Sequence, residues 1–256
     1  MDLFHALILG VIEGITEFLP ISSTGHLILA SKLFSIPSTE FVKTFEIAIQ
    51  SGAILSVIVL YARKLLKDIE LLKRVIVAFI PTGILGYILY KLVKTYLLGN
   101  ANVVLLSLFW GGIALIAVEW YFKRTKHTGS NIDRVSYRKA IIIGLFQAIS
   151  MVPGVSRAAA TIVGGMFVGL PRKAAVEFSF MLAIPTMLAA TLLDLSKTST
   201  NFSPSEWSAL AVGFITSFIV AIVVIRWLLK FIERYTFIPF GIYRIILAIF
   251  YFLLIR

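Results

Sequence analysis

Two glutamates, Glu13 and Glu17, lie four residues apart in an apolar stretch near the N-terminus. On a helix, this spacing places both carboxylates on one face, about one turn apart. Two negative charges buried side by side are costly, so the pair predicts a cation nearby, either a divalent metal ion or an arginine. The alternative is structural, with both side chains reaching headgroup water from a helix end.

Hydroxyl side chains follow the glutamates. Ser22, Ser23 and Thr24 stand after Pro20, where a second short helix is expected to begin. Such hydroxyls cap a helix, and the free backbone N–H groups of its first turn attract anions. His26, just inside this helix, is able to act as nucleophile or proton carrier in phosphoryl transfer. Plain capping and a structural histidine are the alternatives.

A later stretch of the chain has similar features. Pro153, Gly154 and Ser156 interrupt an apolar segment, and Arg157 and Thr161 follow. An arginine deep in such a segment needs an anionic partner, and its planar fork suits phosphate oxygens. A purely structural ion pair with the glutamates is the alternative.

The composition indicates the kind of protein that positions these residues. Apolar residues make up 59% of the chain and charged residues 14%, against about 45–50% and 25% in soluble domains. The absence of cysteine excludes disulfides and thiolate chemistry. The sequence predicts an all-α integral membrane protein with about six transmembrane helices, since a span needs about 20 apolar residues. The segments are 41–62, 75–98, 101–122, 174–194, 206–229 and 237–255.

Two further apolar segments, 2–34 and 138–170, are interrupted and too short on each side of the break to span a bilayer. They predict re-entrant helical hairpins. Irregular backbone at membrane depth is tolerated only where it is buried in protein or lines a cavity, so each break predicts a polar chamber. Glu46 and Gln50, four residues apart in a span, either belong to this chamber or hydrogen-bond internally.

The two halves of the chain resemble each other. Residues 10–20 match 144–153, with one residue deleted before the proline, so that Ser23 corresponds to Ser156. One hairpin and three spans in each half predict an inverted-topology repeat with both breaks near the midplane. The predicted organisation is a single membrane domain, 1–256, with repeat 1 at about 1–122, a cytoplasmic loop at 123–137 and repeat 2 at about 138–256.

Charge predicts the orientation. The net charge is +11, and 16 of the 24 basic residues fall in segments that share one side of the membrane. This asymmetry is typical of cytoplasmic loops and argues against nucleic-acid binding. The first hairpin is therefore expected to enter from the outer face. The basic segments are 63–74, 123–139, 172–173 and 226–234.

Two motifs, EGITEFLPISSTGH at 13–26 and PGVSRAAATIVGG at 153–165, resemble those of the bacterial integral-membrane undecaprenyl pyrophosphate phosphatases, the bacitracin-resistance proteins. The similarity covers essentially the whole chain. Ala158 stands where that family usually has serine, and Ala159 where glycine is common. The sequence therefore has one phosphate contact fewer, or lacks a hydroxyl that is not essential.

The resemblance implies hydrolysis of undecaprenyl pyrophosphate to the monophosphate, which recycles the lipid carrier for cell-wall synthesis and confers bacitracin resistance. It implies a divalent cation and a site open to the outer face of the bacterial inner membrane. The partners are then the polyprenyl diphosphate and membrane lipids, with no nucleic acid. The sequence leaves open whether the chain forms a homo-oligomer.

The residues fit these implied roles. Glu13 and Glu17 would hold Mg²⁺ or Ca²⁺, and Arg157 would bind the terminal phosphate. The nucleophile is expected to be His26, or a water that it activates, with Ser23 as the competing choice. Other phosphate-binding candidates are Ser22, Thr24, Gly154, Ser156 and Thr161.

Two other functions compete. A transporter or flippase of undecaprenyl phosphate would share the broken helices and the inverted repeat. It has no need for a histidine beside two metal-binding carboxylates. A cation-coupled exchanger would use Glu13 and Glu17 but leave the serines and Arg157 unexplained. Hydrolysis accounts for all of them.

Overall fold

The computed structural model describes residues 1–37, 39–97, 100–123, 132, 135–195 and 202–255. These residues contain no β-strand, and most of the predicted loop at 123–137 lies outside them. The α-helices of the described residues are α1 (Leu3–Thr16), α2 (Ser23–Leu33), α3 (Glu40–Lys67), α4 (Ile69–Leu92), α5 (Ala101–Lys123), α6 (Tyr137–Ala148), α7 (Arg157–Phe167), α8 (Arg172–Leu195), α9 (Pro204–Arg234) and α10 (Ile238–Ile255).

The long helices confirm an all-α, multi-pass membrane protein. Helices α3, α4, α5, α8 and α9 are long and apolar enough to cross a bilayer, whereas α10 is apolar but shorter. At 18 residues, α10 extends about 27 Å, slightly less than the hydrocarbon core of about 30 Å. The basic segment 63–74 is almost entirely helical, because α3 continues to Lys67 and α4 begins at Ile69. Asp68 alone separates them, and its carboxylate accepts a hydrogen bond from the Leu71 N–H.

Both interrupted segments fold as pairs of short helices. Helices α1 and α2 have 14 and 11 residues, or about 21 and 17 Å, so neither crosses the membrane alone. Helices α6 and α7 have 12 and 11 residues. We call residues 17–22 the first break and residues 149–156 the second break. A 3₁₀ turn, Ile149–Met151, lies within the second break.

Each hairpin packs against a helix of the other half of the chain, α1 on α9 and α6 on α4. The α1–α9 contact is close because its residues are small. A Cβ atom at Gly10 would lie 2.7 Å from the Gly213 carbonyl oxygen, and one at Gly14 would lie 2.8 Å from that of Ser217. Small residues let helix backbones approach in membranes. This reciprocal packing is what an inverted repeat would produce, although the repeat itself stays a prediction.

The hairpins begin at opposite ends of the helix bundle. Ala6 of α1 belongs to one apolar cluster with Phe41 and Ala209, so α1 begins where α3 and α9 begin. At the other end, the Tyr137 hydroxyl of α6 donates to Glu70 at the start of α4, at 2.9 Å. Each hairpin therefore runs inward from a different end of the bundle, and the two breaks meet inside it.

Candidate active site

A cavity of about 230 Å³ lies where the two breaks meet. Its polar lining comes from both hairpins and from helices α3, α4 and α8. The chamber expected from the sequence is therefore present. The sequence-predicted residues that line it are Glu17, Ser22, Ser23, Thr24, Gly154, Ser156 and Arg157.

Glu17 joins the two hairpins. Its Oε1 accepts a hydrogen bond from Nη2 of Arg157 at 2.7 Å, which is also an ion pair. Its Oε2 accepts one from the Ser23 hydroxyl at 2.5 Å. The side chains of Glu17 and Arg157 are 6% and 11% exposed. One buried carboxylate therefore holds a hydroxyl of the first hairpin and a guanidinium of the second.

The remaining contacts of Arg157 fix the direction of its fork. Nη1 donates to the Ser179 carbonyl at 3.2 Å, and the guanidinium lies over the ring of Phe18, 5.6 Å from its centroid. Nε is buried and has no partner among the described residues. A buried N–H without a partner is costly. Arg157 therefore keeps one donor that an anionic ligand would satisfy.

Ser22 and Ser156 occupy equivalent strained positions at the ends of the two breaks. The alignment of the two halves, which paired Ser156 with Ser23, is therefore one residue out at this point. Ser22 and Ser156 have φ angles of 73° and 74°, a left-handed conformation that costs a non-glycine residue about 1–3 kcal/mol. Each caps the next helix, because its hydroxyl accepts from the N–H of Gly25 or Ala159, at 3.4 and 3.2 Å. Both serines line the cavity. The N-termini of α2 and α7 therefore meet there, and helix N-termini favour anions.

Glu13 lies behind the cavity wall. It is 1% exposed and within electrostatic range of Glu17, Glu46 and Arg157. Its Oε1 is buried without a partner in the described part of the chain. Hard carboxylate oxygens of this kind suit Mg²⁺ or Ca²⁺. The described residues contain no group of three or more His, Asp or Glu side chains that could hold a metal.

His26 makes two hydrogen bonds away from the cavity lining. Its Nδ1 lies 2.7 Å from the Ser22 carbonyl oxygen, and its Nε2 lies 2.7 Å from the Tyr243 hydroxyl. Because a carbonyl only accepts, Nδ1 carries the proton and Nε2 accepts from the tyrosine. The two rings are stacked, with centroids 5.5 Å apart. Both nitrogens are therefore engaged in the structure, whereas the sequence predicts His26, or a water that it activates, as the nucleophile.

Thr161 and Ala158 also lie outside the lining. The Thr161 hydroxyl donates to the Arg157 carbonyl at 2.9 Å and contacts the Ser179 hydroxyl at 2.5 Å. Thr161 therefore connects α7 to α8. Ala158 is fully buried, so it packs within the protein and does not face the cavity.

The opposite wall of the cavity is polar but uncharged. Thr82, Ser150 and Thr186 line it together with Gln50, which the sequence left as one of two chamber candidates. Behind them, the buried Gln147 amide donates to the Thr82 hydroxyl at 2.9 Å and to that of Thr186 at 3.0 Å. Thr82 and Thr186 each end an Ile-Pro-Thr triplet, at 80–82 and 184–186, and this repeated triplet was a signal that sequence reasoning missed.

Arg244 is a second buried arginine, and sequence reasoning missed it. It is 0% exposed in α10 and donates only to backbone carbonyls of the described residues. A signal existed, because Arg244 interrupts an apolar C-terminal segment. Its partners gave no signal, since every residue has a carbonyl.

The buried ion pair generates a prediction about stability. Glu17→Gln and Arg157→Met should each lower the free energy of unfolding by about 3–5 kcal/mol, because each leaves a buried charge without its partner. The double variant should lose less than the sum of the two. Thermal unfolding of purified protein in detergent measures all three. Glu233→Gln, which breaks an exposed pair with Lys173, is the control and should change little. Strictly additive losses would contradict the pairing.

Comparison with known proteins identifies the family of this chain. Residues 6–250 match the model of the family described as Bacitracin resistance protein BacA. Three relatives bear the name undecaprenyl-diphosphatase. The protein of Sulfurihydrogenibium sp. (strain YO3AOP1) is 55% identical over 99% of both chains. That of Aquifex aeolicus is 52% identical over 98% of both, and that of Methanococcus aeolicus is 45% identical over 97% of both. The chain belongs to the BacA family of bacitracin resistance proteins.

Proposed function

We propose that the chain hydrolyses undecaprenyl diphosphate to undecaprenyl phosphate and inorganic phosphate. The names of its full-length relatives support this activity. The observation that carries it is the position of Glu17 between the Ser23 hydroxyl and Arg157, in a cavity inside a membrane protein. A carboxylate beside a hydroxyl and a guanidinium is suited to phosphoryl transfer.

The contacts favour Ser23 as the nucleophile. Its hydroxyl already donates to Glu17, and Arg157 orients that carboxylate. In the first step, Oγ of Ser23 attacks the terminal phosphorus and passes its proton to Glu17. The bond from phosphorus to the bridging oxygen breaks, and undecaprenyl phosphate leaves with the electron pair. In the second step, water attacks the phosphorus of the phosphoserine and the P–Oγ bond breaks. Glu17 returns the proton to Oγ, and inorganic phosphate leaves as H2PO4⁻ with both hydrogens of the water.

Arg157 and the two helix N-termini would hold the phosphate oxygens. Charge in phosphoryl transfer is spread over the equatorial oxygens of the transferred group, and fixed donors stabilise it. The partnerless Nε of Arg157 supplies one such donor. The first turns of α2 and α7, next to Ser22 and Ser156, supply backbone N–H groups at the cavity. The two hairpins would thus bind the terminal phosphate from two sides.

Glu13 and Glu17 would hold a divalent cation, Mg²⁺ or Ca²⁺. The unpartnered oxygen of Glu13 and the carboxylate of Glu17 at the cavity supply hard oxygen ligands. When bound, such a cation neutralises the negative charge of the diphosphate. It would also compensate the second buried carboxylate, since Arg157 is ion-paired with Glu17.

The other candidate functions have less support. A flippase needs a site that binds a lipid phosphate, but it has no use for a serine hydroxyl held by a carboxylate base. The relatives named undecaprenyl-diphosphatase do not favour it either.

His26 would act indirectly, because its Nδ1 holds the Ser22 carbonyl beside the cavity.

We place the protein in the bacterial cytoplasmic membrane, with the cavity open to the outer face. The support is the charge distribution, with 16 of 24 basic residues in segments of one side. In this orientation α1, α3 and α9 begin at the outer face, and α4 and α6 begin at the cytoplasmic face.

Metal-dependent phosphate release tests the function. Purified protein should release phosphate from a long-chain prenyl diphosphate with Mg²⁺ or Ca²⁺ and not with chelator. Glu17→Gln and Arg157→Ala should abolish most release, whereas Glu233→Gln should retain it, because Glu233 pairs with Lys173 at an exposed site. A wild-type protein that binds the lipid phosphate but releases none would exclude hydrolysis and favour the carrier.

The choice of nucleophile has a separate test. Ser23→Ala should lower kcat by about a thousandfold or more, equal to about 4 kcal/mol of barrier. His26→Gln should lower it much less, since the histidine does not line the cavity. Rapid quench in neutral detergent, which preserves both phosphoserine and acid-labile phosphohistidine, with substrate labelled in the terminal phosphate should trap label on a Ser23 peptide of the wild type. Label on His26, or equal losses in both variants, would overturn the assignment to Ser23.

Cysteine labelling tests the orientation, since the chain has no cysteine of its own. Ser205 and Lys67 are both exposed at helix ends, and the charge distribution places Ser205 outside and Lys67 inside. A membrane-impermeant maleimide on intact cells should label Ser205→Cys and spare Lys67→Cys. Permeabilised cells should label both. The reverse pattern in intact cells would invert the topology.

A further inference from the structure

Arg244 contacts both breaks at once. Its side chain is fully buried in α10, and no described carboxylate contacts its guanidinium; every hydrogen-bond partner is a backbone carbonyl. Nη1 donates to Pro20 (3.2 Å) and Val155 (2.9 Å), Nη2 to Gly154 (2.9 Å) and Ser107 (2.9 Å), and Nε to Leu108 (3.3 Å).

The partners belong to three parts of the fold. Pro20 lies in the first break, Gly154 and Val155 lie in the second break, and the other two carbonyls belong to α5. Backbone in a break lacks helical hydrogen bonds, and at membrane depth no bulk water replaces them. The planar fork of arginine donates in several fixed directions at once, which a lysine ammonium does not. One side chain therefore holds the two breaks at a fixed separation.

The residue before Arg244 reinforces this connection. Tyr243 donates to His26, and His26 donates to the Ser22 carbonyl, the last residue of the first break. Two consecutive residues of α10 thus hold the backbone of the first break at Pro20 and Ser22. Neither α10 nor α5 contributes a side chain to the described cavity lining.

The α5–α10 contact leaves room for the guanidinium. Gly111 of α5 lies directly against it, so that a Cβ atom at this position would overlap Nη2 of Arg244. On the α10 side of the same interface, a Cβ atom at Gly241 would lie 2.6 Å from the Ile116 side chain and 2.8 Å from the Gly112 carbonyl oxygen, with no atom of Arg244 among its nearest neighbours. Two glycines of one interface therefore differ in whether an added methyl group meets Arg244.

We propose that Arg244 is a positioning residue, which holds the first and second breaks at the separation where Glu17, Ser23 and Arg157 meet. It does not line the cavity, so its effect on the reaction passes through the two backbones. The effect on catalysis rests on the proposed phosphatase function, whereas the effect on the breaks does not.

The test compares Arg244→Met with Arg172→Met. Arg172 also ties α5 to another helix, since it donates to the buried Glu119 at 2.5 and 2.9 Å, but it contacts neither break. Arg244→Met should lower kcat by about tenfold to a hundredfold with little change in KM, because small misplacements of reacting groups are costly. Hydrogen exchange at 17–22 and 149–156 should become faster. Arg172→Met should change neither property, even if it lowers the melting temperature equally.

Arg244→Lys separates geometry from charge. An ammonium keeps the positive charge but cannot reach both breaks in the same way, so kcat should remain low and exchange at the breaks fast. Full recovery of both properties by lysine would overturn the positioning role.

Gly111→Ala and Gly241→Ala provide the same comparison if Arg244→Met does not fold. Both add a methyl group to the α5–α10 interface, but only the first places it against the guanidinium. Gly111→Ala should speed exchange at both breaks and lower kcat more than Gly241→Ala. Equal effects of the two alanines would overturn the proposal. An inactive wild type whose breaks still loosen only in Arg244→Met and Gly111→Ala would refute the phosphatase function and leave the role of Arg244 standing.

Discussion

The site depends on the ion pair between Glu17 and Arg157. Each charge is buried, and burying either one alone would cost several kcal/mol, so each hairpin needs the other. Helices α1 and α6, which lead into the two breaks, begin at opposite ends of the bundle and end before reaching the far side. The pairing therefore explains why two segments stop inside the membrane instead of crossing it. It also brings the Ser23 hydroxyl to the same carboxylate.

The ion pair is buried between two interrupted helices, where backbone N–H and C=O groups have no helical partner. These groups at both breaks therefore need other hydrogen-bond partners. Capping by Ser22 and Ser156 satisfies N–H groups of the following helices, and Arg244 satisfies carbonyls of both breaks. Helices α5 and α10 thus support the two breaks without lining the cavity. The close packing of α1 on α9 and of α6 on α4 then fixes how deep each break lies.

The sequence located the site better than it predicted the contacts there. Interrupted apolar segments revealed both hairpins, and residue type and spacing marked Glu17, Arg157 and the hydroxyl cluster that contains Ser23. His26 was predicted at the phosphate because it stands beside the serines, but its contact with Tyr243 comes from a residue 217 positions away, which spacing cannot show. Arg244 was missed because backbone carbonyls carry no residue-specific signal. Arg244 is the one charged residue of the apolar segment 237–255, and that was the available clue. The basic segment 63–74 is helical because α3 and α4 extend beyond the length needed to cross the membrane.

The size of the cavity limits what part of a lipid substrate it takes in. At about 230 Å³, it is smaller than the about 300 Å³ at the lower end of ordinary ligand pockets. A diphosphate head fits such a volume, but a long polyprenyl tail does not. The tail therefore has to remain among the lipids around the helices while the head enters between the two breaks. Recognition in the cavity is then recognition of a phosphate anhydride, and the length of the hydrocarbon chain is left to the bilayer.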